Sequence, residues 1–274
     1  MSLRHSPLMY VFYEMRQLDA SRLLYESLIG LPVIEIEPHL PHHHHGVIKY
    51  DAGDIILSFN LSGPSRFPAA SSDGLVTVFN VDPLWPTERL CDANTTLTTQ
   101  DEELYTDPQG HHYVFRKLAA ESAGAATAAA RPRRPTVEEL RLTVQDLDAS
   151  IAYYRDILGL DLLSQTEKMA RFATGTVKLA LEQGELAPDG RVLAYNTYLI
   201  VFYCRDIEQM YSIMLKRGLE FKSNRVDYNE VGGTVRFDDP SGHRFCLYVP
   251  SEVSLKWESG SKVTEIAAAY ALAS

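Results

Sequence analysis

The sequence lacks a cysteine framework, because its three cysteines lie far apart and none belongs to a Cys-x-x-Cys pair. Disulfide scaffolds and zinc knuckles depend on numerous or closely paired cysteines. The positions of Cys91, Cys204 and Cys246 therefore argue against both classes. They favour a reducing compartment, and we expect a cytoplasmic protein.

Long apolar runs and an excess of basic residues are missing as well. No stretch is apolar enough over a sufficient length to span a bilayer, and the first residues lack the pattern of a signal peptide. The 274 residues include 26 lysines and arginines against 36 aspartates and glutamates, which gives a formal net charge of −10. Proteins that bind nucleic acids or anionic membranes are usually basic. We therefore expect neither partner.

Common catalytic signatures are also absent. The sequence contains no Gly-x-Ser-x-Gly elbow, no Walker phosphate-binding loop, no His-Glu-x-x-His pair and no Gly-x-Gly-x-x-Gly turn. These patterns mark serine hydrolases, nucleotide-binding proteins, zinc peptidases and dinucleotide-binding proteins. The function therefore has to be sought in other features.

An internal repeat is the clearest positive feature of the chain. Residues 18–31 read LDASRLLYESLIGL and residues 147–160 read LDASIAYYRDILGL, so half of these positions are identical without a gap. A second matching pair follows at nearly the same distance: Asp-Pro-Gln-Gly-His at 107–111 and Asp-Pro-Ser-Gly-His at 239–243. Two markers in the same order indicate a duplicated domain.

The repeat divides the chain into four parts. We predict a first domain over residues 1–117, an Ala/Pro-rich linker over 118–135, a second domain over 136–253 and a tail with a short helix over 254–274. Each copy shows one strand, one helix and several strands, and this pattern occurs twice per copy. Each Asp-Pro-x-Gly segment is typical of a type I turn and is expected to join the last two strands.

The repeated string, with Asp-Pro-x-Gly-His before a terminal strand, resembles the vicinal oxygen chelate superfamily. That superfamily includes glyoxalase I, extradiol dioxygenases, fosfomycin-inactivating transferases and bleomycin-resistance proteins. The resemblance implies an α+β fold of two tandem glyoxalase-like domains. Each would consist of two βαβββ units that form a cup-shaped curved sheet around a ligand cavity.

The resemblance also implies where a metal would lie. Enzymes of the superfamily hold a divalent ion such as Fe, Mn, Zn or Ni with a His on the first strand, a His or Glu on the fifth and a Glu on the last. These positions fall on Glu139, Leu199 and Cys246 in the second copy, and on Tyr10, Val76 and Val114 in the first. One carboxylate and one thiol are too few ligands for a divalent site. We therefore expect no cofactor at the family positions, with Glu139 as a lone candidate ligand.

Alternation of side chains along the strands separates the cup face from the core face. For the second copy, the expected cup residues are Glu139, Arg141, Thr143, Leu199, Val201, Tyr203, Arg244, Cys246 and Tyr248. For the first copy they are Tyr10, Phe12, Glu14, Val76, Val78, Asn80, His112, Val114 and Arg116. The second set suits a small polar or anionic molecule, because arginine binds carboxylates and phosphates in a bidentate manner.

Three charged residues of the second set are candidates for catalysis. Glu139 is a candidate general base or metal ligand, and Arg141 or Arg244 would stabilise an oxyanion. The alternative is that Glu139 forms a structural ion pair with one of these arginines. The sequence leaves both interpretations open.

A run of histidines in PHLPHHHHG lies between the second and third predicted strands. Its members His39, His42 and His44 are further candidate metal ligands, since imidazole binds transition metals. Consecutive residues cannot all converge on one ion, so a solvated loop or an adventitious metal binder is the alternative.

Besides a metal-independent enzyme that uses Glu139 as general base, two functions remain open from the sequence. One is a protein that binds a small polar or anionic organic molecule in the cup of the second copy without the metal triad. The other is a divalent-metal-dependent enzyme, a dioxygenase or a glyoxalase-like lyase, with rearranged ligands. The partner in either case is a small molecule, and the copies either pair within one monomeric chain or form a homodimer.

Overall fold

The computed structural model describes most of the chain. The described residues are 2–15, 22–37, 46–61, 74–83, 85, 95–98, 103–107, 109–118, 134–175, 177–186 and 198–273. The whole histidine run and nearly all of the expected linker lie outside these ranges.

Strands dominate the described residues. In chain order they are β1 (Leu8–Met15), β2 (Val33–Glu37), β3 (Val47–Asp51), β4 (Ile56–Leu61), β5 (Leu75–Val81), β6 (Thr95–Thr98), β7 (Glu103–Thr106), β8 (His112–Lys117), β9 (Thr136–Val144), β10 (Asp161–Gln165), β11 (Met169–Ala173), β12 (Lys178–Gln183), β13 (Tyr198–Tyr203), β14 (Asp227–Tyr228), β15 (Gly232–Asp238) and β16 (Arg244–Pro250). The helices are α1 (Leu23–Ile29), α2 (Leu147–Ala152, continuing through Tyr153–Ile157), α3 (Ile207–Lys216) and α4 (Gly260–Ala273).

The repeated sequence accounts for the first helix of each copy. Gly30 follows α1 with φ 85°, and Gly159 follows α2 with φ 70°. Glycine adopts this left-handed conformation without a steric penalty and commonly ends helices for that reason.

Within the described residues, no helix combines the length and apolar character that a membrane span requires.

The described strands form two eight-stranded sheets. In the β1 sheet the order is β14-β15-β16-β13-β1-β4-β3-β2, and in the β9 sheet it is β10-β11-β12-β9-β5-β8-β7-β6. In the middle of the first, β1 pairs antiparallel with β13, and in the middle of the second, β5 pairs antiparallel with β9. Two βαβββ units thus build each curved sheet, as the fold class predicted.

Each sheet takes one βαβββ unit from each copy of the repeat. The β1 sheet joins the first unit of the chain to the last, and the β9 sheet joins the two middle units. The expectation that the cup residues of one copy lie together is therefore wrong. Both copies carry the same strand and turn signals, so those signals do not specify which units pair.

The residues that the two copies share connect the two sheets. Tyr25 on α1 donates a hydrogen bond to Asp107 at 3.0 Å, and Tyr154 donates the equivalent bond to Asp239 at 2.7 Å. The repeated histidines also bridge the sheets, because His243 Nε2 lies 2.8 Å from the carbonyl oxygen of Thr143. The repeat therefore encodes the contacts of a shared core.

Candidate functional site

The structure brings most of the expected ligand-binding residues to one concave face, which we call the β1 cup. On its three central strands Tyr10 lies opposite Val201, and Val201 lies opposite Cys246. The next register pair is Phe12 with Leu199, and Tyr203 pairs with Tyr248. The β1 cup thus unites residues that the sequence assigned to two separate cups.

A cavity of about 530 Å³ lies in the β1 cup. Its lining includes Tyr10, Phe12, Glu14, Val47, Lys49, Asn60, Leu199, Val201, Arg236, Arg244, Cys246, Tyr248, Ser254, Trp257 and Ser259. Cavities that bind small organic molecules typically measure about 300–1,000 Å³ and combine apolar walls with a few polar groups. The volume and the lining therefore both suit a small organic ligand.

Aromatic rings form much of the apolar wall. The rings of Tyr10 and Phe12 are stacked with their centroids 5.2 Å apart and an interplanar angle of 27°. Tyr248 meets Tyr10 edge to face at a centroid distance of 6.0 Å. These are the favourable geometries for aromatic pairs. The wall is therefore built from rings that position one another.

Two arginines give the cavity a positive character. Arg244 is half-buried at the start of β16, and Arg236 is exposed on the adjacent strand β15. Neither has an ion-pair partner among the residues that the structure describes. Lys49 also lines the cavity but is paired with Glu35, and Glu14 is the single carboxylate among the described residues of the lining. Within the described part of the chain, no carboxylate therefore neutralises either guanidinium group.

Cys246 lies at the centre of the β1 cup as a buried thiol. Burial raises its pKa to about 11, although the nearby charge and hydrogen bond of Arg236 act in the opposite direction. A thiol with this pKa is almost entirely protonated at neutral pH, and the protonated form is a poor nucleophile. Cys246 therefore contributes to the wall of the cavity, and no side chain of the described residues acts on it as an activating base.

The C-terminal segment, residues 251–273, closes part of the β1 cup. Val263 and Ile266 on α4 belong to the same apolar cluster as Tyr10, Val201 and Cys246. The sequence predicts a short helix in this tail but gives no sign of where it docks. The docking places Ser254, Trp257 and Ser259 in the cavity lining, and none of these residues was predicted.

Glu139 and Arg141 lie on the other concave face, the β9 cup. Glu139 is fully buried, and its Oε1 accepts from Arg141 Nη2 at 3.2 Å while its Oε2 accepts from Arg171 Nε at 2.7 Å. Arg141 also lies 3.8 Å from a carboxylate oxygen of Glu182. The structure therefore does not bring Glu139 and Arg141 together with Arg244, and the expectation of one shared cup is wrong. Their strand, β9, pairs with β5 rather than with β13.

The remaining predicted residues are divided between the two sheets. Thr143 lies on β9, and its carbonyl oxygen accepts from His243. His112 lies on β8, where its Nδ1 is 2.9 Å from the Thr106 hydroxyl, and so it is not in the β1 cup with Tyr10. Both belong to the β9 sheet. Sequence reasoning placed all of these side chains on strands, but not on the correct partner strands.

The residues at the family's metal positions do not fit a divalent ion. In the β1 cup these positions hold Tyr10, Leu199 and Cys246, and the carboxylate of Glu139 in the β9 cup is occupied by two guanidinium groups. Within the described ranges, no three His, Cys, Asp or Glu side chains form a metal-binding group. The candidate ligands His39, His42 and His44 lie outside those ranges.

The paired βαβββ units and the two concave sheets place the protein in a structural class: it has the two-domain glyoxalase-like fold. Glyoxalase I from Zea mays superposes with a TM-score of 0.68 at 14% identity, over 95% of this chain and 95% of that chain. A putative dioxygenase from Bacillus subtilis subsp. subtilis str. 168 gives a TM-score of 0.66 at 13% identity, over 95% and 89% of the two chains. At sequence identities this low, the similarity to these two structures shows a shared fold and nothing more.

Sequence comparison identifies the family of the second half. Residues 135–247 match the model of the Glyoxalase/Bleomycin resistance protein/Dioxygenase superfamily. The chain is also similar to metallothiol transferase FosB of Staphylococcus haemolyticus (strain JCSC1435), with 26% identity over 116 residues that cover 42% of this chain and 84% of FosB. Residues 135–247 therefore carry the sequence pattern of this superfamily, as the repeated motifs indicated.

Proposed function

We propose that the protein binds a small organic anion in the β1 cup. The observation that carries this proposal is the pair of guanidinium groups, Arg236 and Arg244, that line the cavity without an ion-pair partner among the described residues. Guanidinium groups bind carboxylates, phosphonates and phosphates in a fixed planar geometry. The anionic group would lie at Arg244, the more buried of the two.

The surroundings of Arg244 strengthen this assignment. The net charge of the chain is −10, so a locally positive cavity differs in sign from the protein as a whole. The wall beside it is aromatic and apolar, which lowers the local dielectric constant and strengthens an ion pair. The ligand is therefore expected to combine one anionic group with an apolar body.

The proposal assigns binding rather than catalysis to the cavity. The Cys246 thiol lies beside the two arginines, but its raised pKa leaves it protonated at neutral pH. Glu139 is assigned a structural role, because both of its carboxylate oxygens accept hydrogen bonds from arginines in the other sheet. Pairing of the units within one chain supports a monomer, and the free thiols of Cys204 and Cys246 are consistent with a reducing cytoplasm.

Calorimetric titration with matched acids and amides tests the proposal. The probes are benzoate, cyclohexanecarboxylate and phenylphosphonate, with benzamide as the uncharged counterpart. We expect the anions to bind and benzamide to bind at least about tenfold more weakly, because a charge-assisted hydrogen bond is worth about 1.5–3 kcal/mol. The substitution Arg244→Gln should weaken the binding of the anions by a similar factor. Arg155→Gln, on an exposed face of α2, is the matched control.

Two results would contradict the proposal. One is equal binding of benzoate and benzamide, and the other is unchanged anion binding in Arg244→Gln. The same titrations with Mn²⁺, Zn²⁺, Ni²⁺ and Fe²⁺ on a variant that lacks residues 39–45 address the metal-dependent alternative. Stoichiometric, tightly held metal in that variant would overturn the metal-free assignment.

A further inference from the structure

The C-terminal segment supplies an aromatic residue to a cavity that otherwise belongs to the sheet. Trp257 follows the single helical turn Ser254–Lys256 and lines the β1 cup. It is half-buried. The cavity therefore has aromatic groups both on its floor, Tyr10 and Phe12, and on this added wall.

A buried ion pair holds Trp257 in place. Lys49 Nζ lies 2.6 Å from Glu35 Oε1, and both side chains are only 7% exposed. The same ammonium group lies 5.3 Å from the centroid of the Trp257 ring, within the range of a cation–π contact. The other oxygen of Glu35 accepts from the backbone N–H of Ser259 at 2.8 Å.

This arrangement fixes the segment at two points on either side of the indole. The Ser259 amide is anchored to Glu35, and Ser254 Oγ lies 3.3 Å from the Tyr248 hydroxyl. A buried charge pair is costly to form unless its hydrogen bonds are satisfied, and here the segment satisfies them. The position of Trp257 is therefore set by the charged and polar groups of Glu35, Lys49 and Tyr248.

We propose that Trp257 determines specificity in the β1 cup and selects organic anions whose body is a flat aromatic ring, such as aromatic carboxylates. This inference rests on the proposed anion binding at Arg244. Stacked or edge-to-face aromatic pairs are more favourable than aliphatic contacts of the same area. A cavity that needed only an apolar body would not require a separately anchored indole.

Benzoate and cyclohexanecarboxylate form the matched pair for the test, because they share the charge and differ in the ring. Calorimetry should show benzoate binding about threefold to tenfold more tightly to the wild-type protein. The ratio of the two dissociation constants should fall to about one in Trp257→Leu and should be largely retained in Trp257→Phe. The aromatic variant guards against a general loss of folding.

Fluorescence gives a second measurement. The chain contains two tryptophans, so in a Trp85→Phe background the emission reports on Trp257 alone. Saturation with benzoate should change that emission, and saturation with cyclohexanecarboxylate should change it less. Calorimetric binding of benzoate without any change in emission would overturn the inference.

The outcomes separate this inference from the proposed function. If both acids bind equally, and Arg244→Gln still weakens both, then the aromatic selectivity is wrong and the anion site stands. If neither acid binds, or if Arg244→Gln has no effect on either, the proposed function itself fails. A benzoate preference that persists in Trp257→Leu would place the selectivity on Tyr10 and Phe12 instead.

Discussion

The two cups of the molecule share one strand plan but treat charge in opposite ways. In the β9 cup, the carboxylate of Glu139 is enclosed by Arg141 and Arg171, so the charges neutralise one another inside the protein. In the β1 cup, Arg236 and Arg244 have no ion-pair partner among the described residues and face a cavity. The same fold therefore carries one face whose charges are paired within the protein and one face whose two arginines have no such pairing among the described residues.

The comparison shows that the number of charged residues in a cup does not reveal a binding site. Glu139 is the most deeply buried carboxylate of the two cups, and its pattern in the sequence suggested catalysis. Its carboxylate oxygens accept hydrogen bonds from Arg141 on its own strand and from Arg171 on β11, which ties β9 to β11. What distinguishes the β1 cup is a pair of arginines without an ion-pair partner among the described residues, next to a cavity of about 530 Å³.

The largest expected effect comes from removing the central charge of the β9 cup. Glu139→Gln should lower the free energy of unfolding by about 3–5 kcal/mol, because it leaves two arginines beside a neutral group in a buried place. Urea unfolding measures this loss. Glu182→Gln, whose side chain is 40% exposed, is the control and should cost about 0–1 kcal/mol.

The same variant also examines the difference between the cups. At temperatures where Glu139→Gln remains folded, its affinity for benzoate should match that of the wild type within about twofold, since the site lies in the other sheet. A folded Glu139→Gln protein that no longer binds benzoate would move the binding site to the β9 cup and remove the contrast.

An intermediate effect is expected when the β1 cup is opened. Removal of residues 259–274 takes away Val263 and Ile266, which cover Cys246. In a Cys91→Ser background, reaction of the thiols with Ellman's reagent at pH 8 should then accelerate by at least about tenfold, because exposure lowers the pKa of Cys246 from about 11 towards its ordinary value.

Two comparisons make this result specific. Removal of residues 271–274 alone should leave the rate unchanged, because the contacts of Val263 and Ile266 remain. Substituting Cys246 with Ser in the shortened chain should abolish the fast phase. A fast phase that persists in that protein would assign the new reactivity to Cys204 and would show that opening the cup loosens the whole core.

The smallest expected effect is a pH dependence at the rim of the β9 cup. Burial raises the pKa of Glu138, but hydrogen bonds and charges from Lys178 and Arg116 outweigh burial and lower its pKa below the ordinary value. The ionised form therefore stabilises the fold above the ordinary glutamate pKa, and that contribution is lost as the pH falls through the lowered folded-state pKa.

Urea unfolding of the wild type and Glu138→Gln measures this contribution. The two proteins should differ by at most about 1 kcal/mol at pH 7, since the pair is partly solvated, and the difference should vanish near pH 3. A difference that grows on acidification would mean that Glu138 is held in its protonated form.

The βαβββ units could be predicted from the sequence, but the pairing of these units into sheets could not. The repeated Tyr and Asp residues predicted the helices and turns, and in the structure Tyr25 meets Asp107 just as Tyr154 meets Asp239. These contacts lie within one copy, so duplication preserves them. Pairing of β1 with β13 involves strands from different copies, and each has a near-equivalent alternative in its own copy.

Only part of the candidate site could be predicted, because local patterns again give the strands but not the long-range contacts. Strand alternation correctly placed Tyr10, Phe12, Leu199, Cys246 and Tyr248 on concave faces. It could not identify the C-terminal wall, because the docking of the segment before α4 depends on Glu35 and Lys49, two residues of opposite charge on β2 and β3 that are far away in sequence. Such an ion pair has no local pattern, and only the folded sheet brings it under Trp257.

The exchange of units has a consequence for the order in which the molecule is made. During synthesis from the N-terminus, the two middle units can close the β9 sheet as soon as β12 has emerged. The β1 strand has only β4 beside it until β13 is available, and such long-range pairing is slow because a large loop must close. The cavity is thus completed last, when the residues of β16 and the segment around Trp257 arrive. Until then the ribosome-bound chain carries an unpaired β1 edge, which is the kind of surface that chaperones protect.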